Sequence, residues 1–200
     1  YYVDSPLSVK ATEIIKSLNW IDIVVGLIII RAIYVGIKTG VVIEIFKLLG
    51  NAFAVFSSLH YYVRMGAFLH DKAHLPLVAA QFISFGLLWA AVTIVFKFIR
   101  DGFLILLHME AHSLFDKWGG LLVSVFRGML AASMFLLFLN VLGIEYLKKN
   151  LEKSLTASRV VVLAPKVYEF CFNGLVIKFF PDEKFNGKAY DLSNFSSAEK

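Results

Sequence analysis

The chain has 200 residues, of which 58% are hydrophobic and 18% are charged. Soluble domains average roughly 45–50% apolar and about 25% charged residues, so this composition argues against a free soluble domain and against a disordered chain. The single cysteine, Cys171, excludes an intrachain disulfide framework and a cysteine-based zinc site. The formal net charge of +5 is more typical of loops that face anionic lipid than of a nucleic-acid-binding surface, so we expect no nucleic-acid partner.

Four hydrophobic runs are long enough to cross a membrane, which takes about 20 mostly apolar residues. They cover about residues 20–37, 41–63, 75–99 and 118–142. Four such runs are too many for a chain of this length to bury in a core of its own. The sequence therefore predicts an all-α integral membrane protein, with a polar segment over residues 1–18 and a four-span membrane domain over residues 19–143.

The connections between the runs predict how the helices are joined. Lys38-Thr39-Gly40 makes a tight antiparallel hairpin of the first two spans, and a polar loop near residues 66–76 joins the second and third. Residues 97–116 predict an amphipathic helix at the interface, or else an extension of the third span into water. Over residues 144–200 we expect an interfacial or bundle-packed helix, near residues 160–180, and then a loose polar tail.

Charged side chains inside a span are costly and mark sites that need a partner or a water-filled cavity. Asp22, at the head of the first run, either caps a helix start or contacts another span. Arg127 lies about a third of the way into the fourth run, and Glu44 is its natural partner because the hairpin and the start of the fourth span share one side. Asp116, Gly120 and Arg127 fall near one angular position on the fourth helix.

Small residues recur at four-residue spacing in two of the runs, which lets neighbouring helix backbones approach closely. The predicted helix-packing positions are Gly36 and Gly40 around the hairpin, and Gly120, Ser124, Gly128 and Ala132 in the fourth run.

The sequence motifs of soluble enzymes are missing: there is no GxSxG, no Walker A loop, no HExxH and no glycine-rich dinucleotide turn. The pairs His70/His74 and His108/His112 have the i, i+4 spacing of metal ligands, but neither has a third ligand nearby in sequence. Histidines at a membrane interface are the simpler interpretation. We therefore expect a non-enzymatic protein with no catalytic residues and no metal.

The order and spacing of several residues resemble the colicin V production protein (CvpA) family of small bacterial membrane proteins. The usual family signature is a start of the form W-hydrophobic-D, a hairpin RGxxxE and a fourth-span D-R-x-x-G-x-x-x-G-x-x-R-G. The matching positions run in the same order here: Trp20-Ile21-Asp22, Gly40, Glu44, Asp116, Gly120 and Arg127-Gly128. The departures are Thr39 for the hairpin arginine, Lys117 for the second arginine and Ser124 for the middle glycine.

This resemblance implies a four-span protein of the bacterial inner membrane that has no known cofactor and serves colicin V production, toxin export or maintenance of the cell envelope. One hypothesis is that it acts by binding membrane-protein partners or a second copy of itself in the lipid bilayer. The alternative is a component of a transporter or channel for a small solute or ion, for which Asp22, Glu44 and Arg127 would supply the polar groups.

The side of the membrane that the termini face is predicted differently by charge and by the family resemblance. More basic residues lie on the side of the termini than on the side of the hairpin, which favours cytoplasmic termini by the positive-inside rule. The resemblance implies the reverse, because some relatives carry a protease domain after the fourth span that faces away from the cytoplasm. Both orientations stay open.

Overall fold

A computed structural model describes residues 19–107 and 114–193, and all regular secondary structure in them is helical. The predicted all-α class is therefore confirmed. The four long helices are α1 (Trp20–Thr39), α2 (Val41–Ala73), α3 (Leu77–Leu107) and α4 (Leu114–Val141). The shorter elements that follow are α5 (Glu145–Lys153), α6 (Ala157–Val160), α7 (Leu163–Cys171), a π-helical segment (Phe172–Val176), α8 (Ile177–Phe179) and α9 (Lys188–Asp191).

Five stretches of the described chain are long and apolar enough to cross a membrane. Four correspond to the predicted runs: Trp20–Thr39, Val41–Ala73, Leu77–Leu104 and Asp116–Val141. The fifth, Ala157–Phe179, covers α6 to α8, where the sequence predicted an interfacial or bundle-packed helix. Length and composition alone therefore allow five spans.

The second helix is longer than the apolar run that predicts it. At 1.5 Å per residue, 33 residues extend about 50 Å, whereas the hydrocarbon core is about 30 Å thick. The prediction of a polar loop near residues 66–76 is wrong for most of these residues, because α2 continues to Ala73. Gly66 lies against α3, where an added Cβ would come within 2.7 Å of the Gln81 side chain. Hydropathy predicts where the lipid-facing part of a helix ends. The helix itself can continue into water, because an existing helix gains one hydrogen bond for each residue it adds.

The third helix also runs past its apolar segment. Residues 97–107 continue α3 without a break, so over these residues the extension of the third span describes the chain better than a separate interfacial helix. Residues 108–113, the rest of that predicted linker, lie outside the described part of the chain.

The long helices pack as a bundle in which α2 and α4 occupy the centre. α3 packs along α2, α1 packs along α4, and α2 and α4 contact each other. We call the end of the bundle that carries Thr39, Val41 and Asp116 the hairpin end, and the end that carries Asn19 and Val141 the tail end. α7 packs against α2 and α4, and its buried Tyr168 contributes to the core.

The segment that follows α8 is packed against the bundle instead of being loose. The Asn186 side chain donates to the Leu59 carbonyl at 2.6 Å, and the Asn140 side chain donates to the Leu192 carbonyl at 2.7 Å. Ala189 is fully buried. These contacts bind residues 181–193 to α2 and α4; residues 194–200 lie outside the described part of the chain.

Candidate functional site

A buried carboxylate links three helices at the hairpin end. The Glu44 side chain is fully buried, and its two oxygens accept from three donors. Arg127 Nε donates to Oε2 at 2.7 Å, while Lys47 Nζ and Thr39 Oγ1 donate to Oε1 at 2.6 and 2.7 Å. The structure thus brings Glu44 and Arg127 together, as charge and depth predict, and adds Lys47 and Thr39 to the cluster.

Local structure explains why these groups meet. Thr39 is the last residue of α1, and the single residue Gly40, with φ of +79°, turns the chain directly into α2. Glu44 and Lys47 then lie one turn apart on α2 and form an i, i+3 ion pair. Arg127 comes from α4, with its side chain about one-fifth exposed. One buried carboxylate therefore pairs with two partly buried cations, and this attraction offsets part of the desolvation of all three groups.

The same turn is closed by a second carboxylate. Asp116, in the first turn of α4, accepts the backbone N–H of Val41 at 2.7 Å. Val41 opens α2, so this bond satisfies one of the four N–H groups that a helix start leaves without partners inside the helix. An added Cβ at Gly40 would collide with the Asp116 carboxylate. Asp116 therefore acts here as a cap supplied by another helix, a role that angular position alone did not predict.

At the tail end, Asp22 joins α1 to the segment between α5 and α6. Its Oδ2 accepts the Asn19 backbone N–H at 3.0 Å, which is part of a capping box at the start of α1. Its Oδ1 accepts the Ser154 hydroxyl at 2.7 Å, and the hydroxyl and backbone N–H of Thr156 at 2.6 and 2.9 Å. Asp22 therefore combines both predicted roles, a helix start and a contact with a distant segment.

The small residues of α1 and α4 face one another. An added Cβ at Gly120 would lie 2.6 Å from the Gly36 carbonyl oxygen, and one at Gly128 would lie 2.7 Å from the Ala32 Cβ. An added Cβ at Gly36 would overlap the Ser124 side chain. Ser124 and Ala132 are fully buried. The two helices therefore touch through backbone atoms, and the stripe on α4 serves packing within this chain.

A polar cluster on α2 has no counterpart in the sequence predictions. His60 is almost fully buried, with Nδ1 at 3.0 Å from Tyr168 Oη and Nε2 at 3.0 Å from Glu183 Oε1. Arg64 also pairs with Glu183, at 2.6 Å. Hydrogen bonds from His60 and Arg64 hold the pKa of Glu183 below its usual range. The cluster fastens the segment after α8 to α2.

The direction of the hydrogen bonds in this cluster follows from the chemistry of the groups. An ionised carboxylate only accepts, so Nε2 of His60 carries the proton toward Glu183. In the neutral ring Nδ1 then accepts from the Tyr168 hydroxyl, whose oxygen accepts the Asn186 backbone N–H at 2.9 Å. The sequence does hold one signal of this cluster, which is a histidine within an otherwise apolar run. A polar side chain in such a run needs a partner, and the same reasoning singles out Arg127.

The histidine pairs considered as metal ligands find no support in the described residues, which contain no group of three or more His, Cys, Asp or Glu side chains able to hold a metal ion. His70 Nδ1 instead lies 2.6 Å from the Leu75 carbonyl oxygen, next to the turn into α3. His108 and His112 lie outside the described residues.

Long apolar helices joined by buried, ion-paired side chains define a multi-pass α-helical membrane protein. Residues 21–165 match the family model described as colicin V production protein, and the chain belongs to this family. The match covers α1 to α4, continues to Pro165 in α7, and includes Asp22, Glu44, Asp116 and Arg127, so the resemblance predicted from sequence is confirmed. Neither the search of curated proteins nor the search of solved structures found a match.

Proposed function

We propose that this protein is a four-span component of the bacterial inner membrane that acts by binding membrane-protein partners, without catalysing a reaction, in colicin V production, toxin export or envelope maintenance. The family match over residues 21–165 supports the biological setting. The number of spans and the mode of action rest on the contacts described next.

The contacts of the fifth apolar stretch support four spans rather than five. Before it, Ser154 and Thr156 contact Asp22 at the tail end. Within it, Val161 and Ala164 bond the Ser133 hydroxyl on the tail-end half of α4. These bonds hold the first part of the stretch at the tail end.

The chain is still at the tail end after this stretch. Glu183 contacts His60 on the second half of α2, and Leu192 contacts Asn140 at the end of α4. A stretch that begins and ends at the same end of the bundle does not cross the membrane. We therefore assign Ala157–Phe179 to a helical layer packed on the tail end of four spans.

The proposal of a non-enzymatic protein rests on the hydrogen bonds of the charged site residues. The carboxylates of Asp22, Glu44 and Asp116 each accept hydrogen bonds from distant parts of the same chain. Groups held in this way fix the relative positions of helices. A general base or nucleophile instead needs a free face toward a substrate. The contacts of the polar residues in the family pattern therefore favour a structural role, in which these residues fix the positions of the helices.

The surface that we assign to a partner lies on α3. Only 11% of the apolar part of this helix is buried inside the bundle, the smallest share among the five candidate stretches. Ile94 and Phe98, one turn apart on this helix, are 53% and 71% exposed. A partner that presents an apolar transmembrane helix would fit this face.

Photo-crosslinking in intact membranes tests this proposal. A photoreactive amino acid placed at Ile94 or Phe98 should give a discrete protein adduct, either with another protein or with a second copy. The matched controls are Leu27 and Ile30 of α1, which are 60% and 64% exposed in a candidate span of similar hydropathy and should give lipid adducts only. Absence of protein adducts from both α3 positions would contradict partner binding through α3.

A further inference from the structure

A cleft between α3 and α4 opens toward the hairpin end. Near the tail end the two helices touch through aromatic rings: Phe82 and Trp89 of α3 lie 4.1 and 6.2 Å from Phe138 of α4, between ring centroids. Nearer the hairpin end a cavity of about 340 Å³ separates them, and α2 forms its floor through Gly50 and Asn51. This volume exceeds that of a phosphate group and includes room for part of a hydrocarbon chain.

The walls of the cleft carry an excess of positive charge. Four cations line it, and two carboxylates pair with them: Glu44 binds Lys47 and Arg127, and Asp101 binds Arg100 at 2.6 Å. Lys97 lines the cavity and has no ion-pair partner among the residues the structure describes. Arg127 binds Glu44 through Nε, and a guanidinium has five N–H donors, so one such bond does not exhaust its capacity.

Charge and apolar surface are separated along the cleft. Lys97 and Arg100 lie in the last turns of the spanning part of α3, where the hydrocarbon core gives way to headgroups. Trp89 lies eight residues deeper, about 12 Å along the helix, and Phe46 and Phe96 add further apolar wall. A ligand that fills the cleft must therefore be anionic at one end and apolar at the other.

We propose that this cleft binds an anionic phospholipid of the surrounding membrane, with the phosphate against Lys97, Arg100 and Arg127 and one acyl chain against Trp89. Basic pockets between membrane helices suit anionic headgroups, and guanidinium groups bind phosphate oxygens well. Free phosphate shares the charged half of this chemistry and leaves the apolar wall without a contact.

Quenching of Trp89 fluorescence by brominated lipids tests the proposal. The full chain carries three tryptophans, and Trp20→Phe with Trp118→Phe leaves Trp89 as the reporter. In vesicles of equal phosphatidylglycerol and phosphatidylcholine, bromine is placed on the acyl chains of one lipid or the other, so that overall composition is constant. Brominated phosphatidylglycerol should quench Trp89 more strongly than brominated phosphatidylcholine.

Two variant pairs make the result specific. Lys97→Gln with Arg100→Gln should reduce the preference for phosphatidylglycerol about thirtyfold, or about fivefold for each charge removed. Lys148→Gln with Lys149→Gln removes two cations at the tail end and should leave the preference unchanged. Both residues of the first pair lie outside the Glu44 cluster, and an unchanged melting temperature verifies that this variant folds.

Three results would overturn the proposal. Equal quenching by the two brominated lipids would show that the cleft does not select an anionic headgroup. A preference that survives Lys97→Gln with Arg100→Gln would place the selectivity elsewhere. Loss of the excess quenching on addition of millimolar inorganic phosphate, at constant ionic strength, would identify a free-phosphate site. None of these results depends on whether α3 binds a protein partner.

Discussion

At the scale of single residues, Glu44 connects parts of the chain that are far apart in sequence. It lies at the start of α2, accepts from Thr39 at the end of α1, and pairs with Arg127 in α4. Glu44 and Arg127 are 83 residues apart, so their contact exists only in the folded bundle. Removing the carboxylate would leave Lys47 and Arg127 without their shared counter-charge.

We expect Glu44→Gln to lower the free energy of unfolding by about 3 kcal/mol, because loss of one partner leaves the other charges buried and unpaired. The value is at the low end for a buried pair, since both cations keep roughly a fifth of their side-chain surface exposed. Denaturant unfolding of the purified protein in micelles measures the change. The control Glu145→Gln breaks the exposed Glu145–Lys149 pair and should leave the unfolding midpoint nearly unchanged, because water screens this pair.

A double-mutant cycle separates the ion pair from other effects of the substitution. Because Glu44 and Arg127 contact each other, Glu44→Gln with Arg127→Gln should cost less than the sum of the two single changes. If the two changes add, or if Glu44→Gln leaves the stability unchanged, the pair does not link α2 to α4.

At the scale of elements, the contact between α1 and α4 depends on glycines, whose lack of a side chain lets the two backbones approach closely. We expect Gly36→Ala and Gly120→Ala each to lower the free energy of unfolding by about 1–3 kcal/mol, because either methyl group would push the two backbones apart. Gly26→Ala is the matched control on α1, since nothing lies within 4 Å of its added Cβ. Unfolding midpoints in micelles measure all three variants; equal midpoints for Gly26→Ala and Gly36→Ala would contradict the close packing.

Glu183 and Asn186 both hold the segment after α8 to α2. Glu183→Gln weakens its contacts with His60 and Arg64, so we expect residues 181–193 to open more often and trypsin to cleave faster after Lys184 and Lys188 at neutral pH. Asp182→Asn is the control, because it removes a neighbouring exposed carboxylate outside this cluster. Equal cleavage rates for the two variants would show that the cluster does not hold the segment.

The same cluster predicts a pH dependence whose sign follows from Glu183. Its pKa is lower in the folded protein than the ordinary value of 4.5, so the carboxylate contact contributes its full stabilisation above that value. The contribution is lost as the pH falls from 4.5 through the folded-state pKa. Hydrogen exchange of residues 181–193, corrected for intrinsic rates, should accelerate below pH 4.5 in the wild type. Glu183→Gln should lack this step; a step of the same size in both proteins would contradict the assignment.

The fold can be predicted from the sequence where the lipid environment determines which residues are apolar. The bounds of α1 and α4 follow from apolar runs, because a spanning helix must be long and apolar, and the Glu44–Arg127 contact follows from the cost of an unpaired charge at that depth. The ends of α2 and α3 were missed because helix can continue into water. The His60 cluster was missed because its carboxylate comes from a segment 123 residues away, and nothing local predicts that this segment folds back.

At the scale of the whole molecule, we propose four spans with a helical layer on the tail end. The family match fixes the class of protein. The proposal of four crossings rather than five rests on the contacts of Ala157–Phe179 with the tail end. The number of crossings determines which compartment the segment after α8 faces. In four spans, that segment faces the same compartment as the turn between α2 and α3; in five, it faces the compartment of the hairpin.

Cysteine labelling in intact cells tests this arrangement most directly. In a Cys171→Ser background, single cysteines replace four exposed lysines, and a membrane-impermeant maleimide reports which of them face outward: Lys38, Lys72, Lys149 and Lys188. Four spans predict that positions 72, 149 and 188 label together and that position 38 has the opposite accessibility. If position 188 instead labels together with position 38, Ala157–Phe179 crosses the membrane, and the four-span account is wrong.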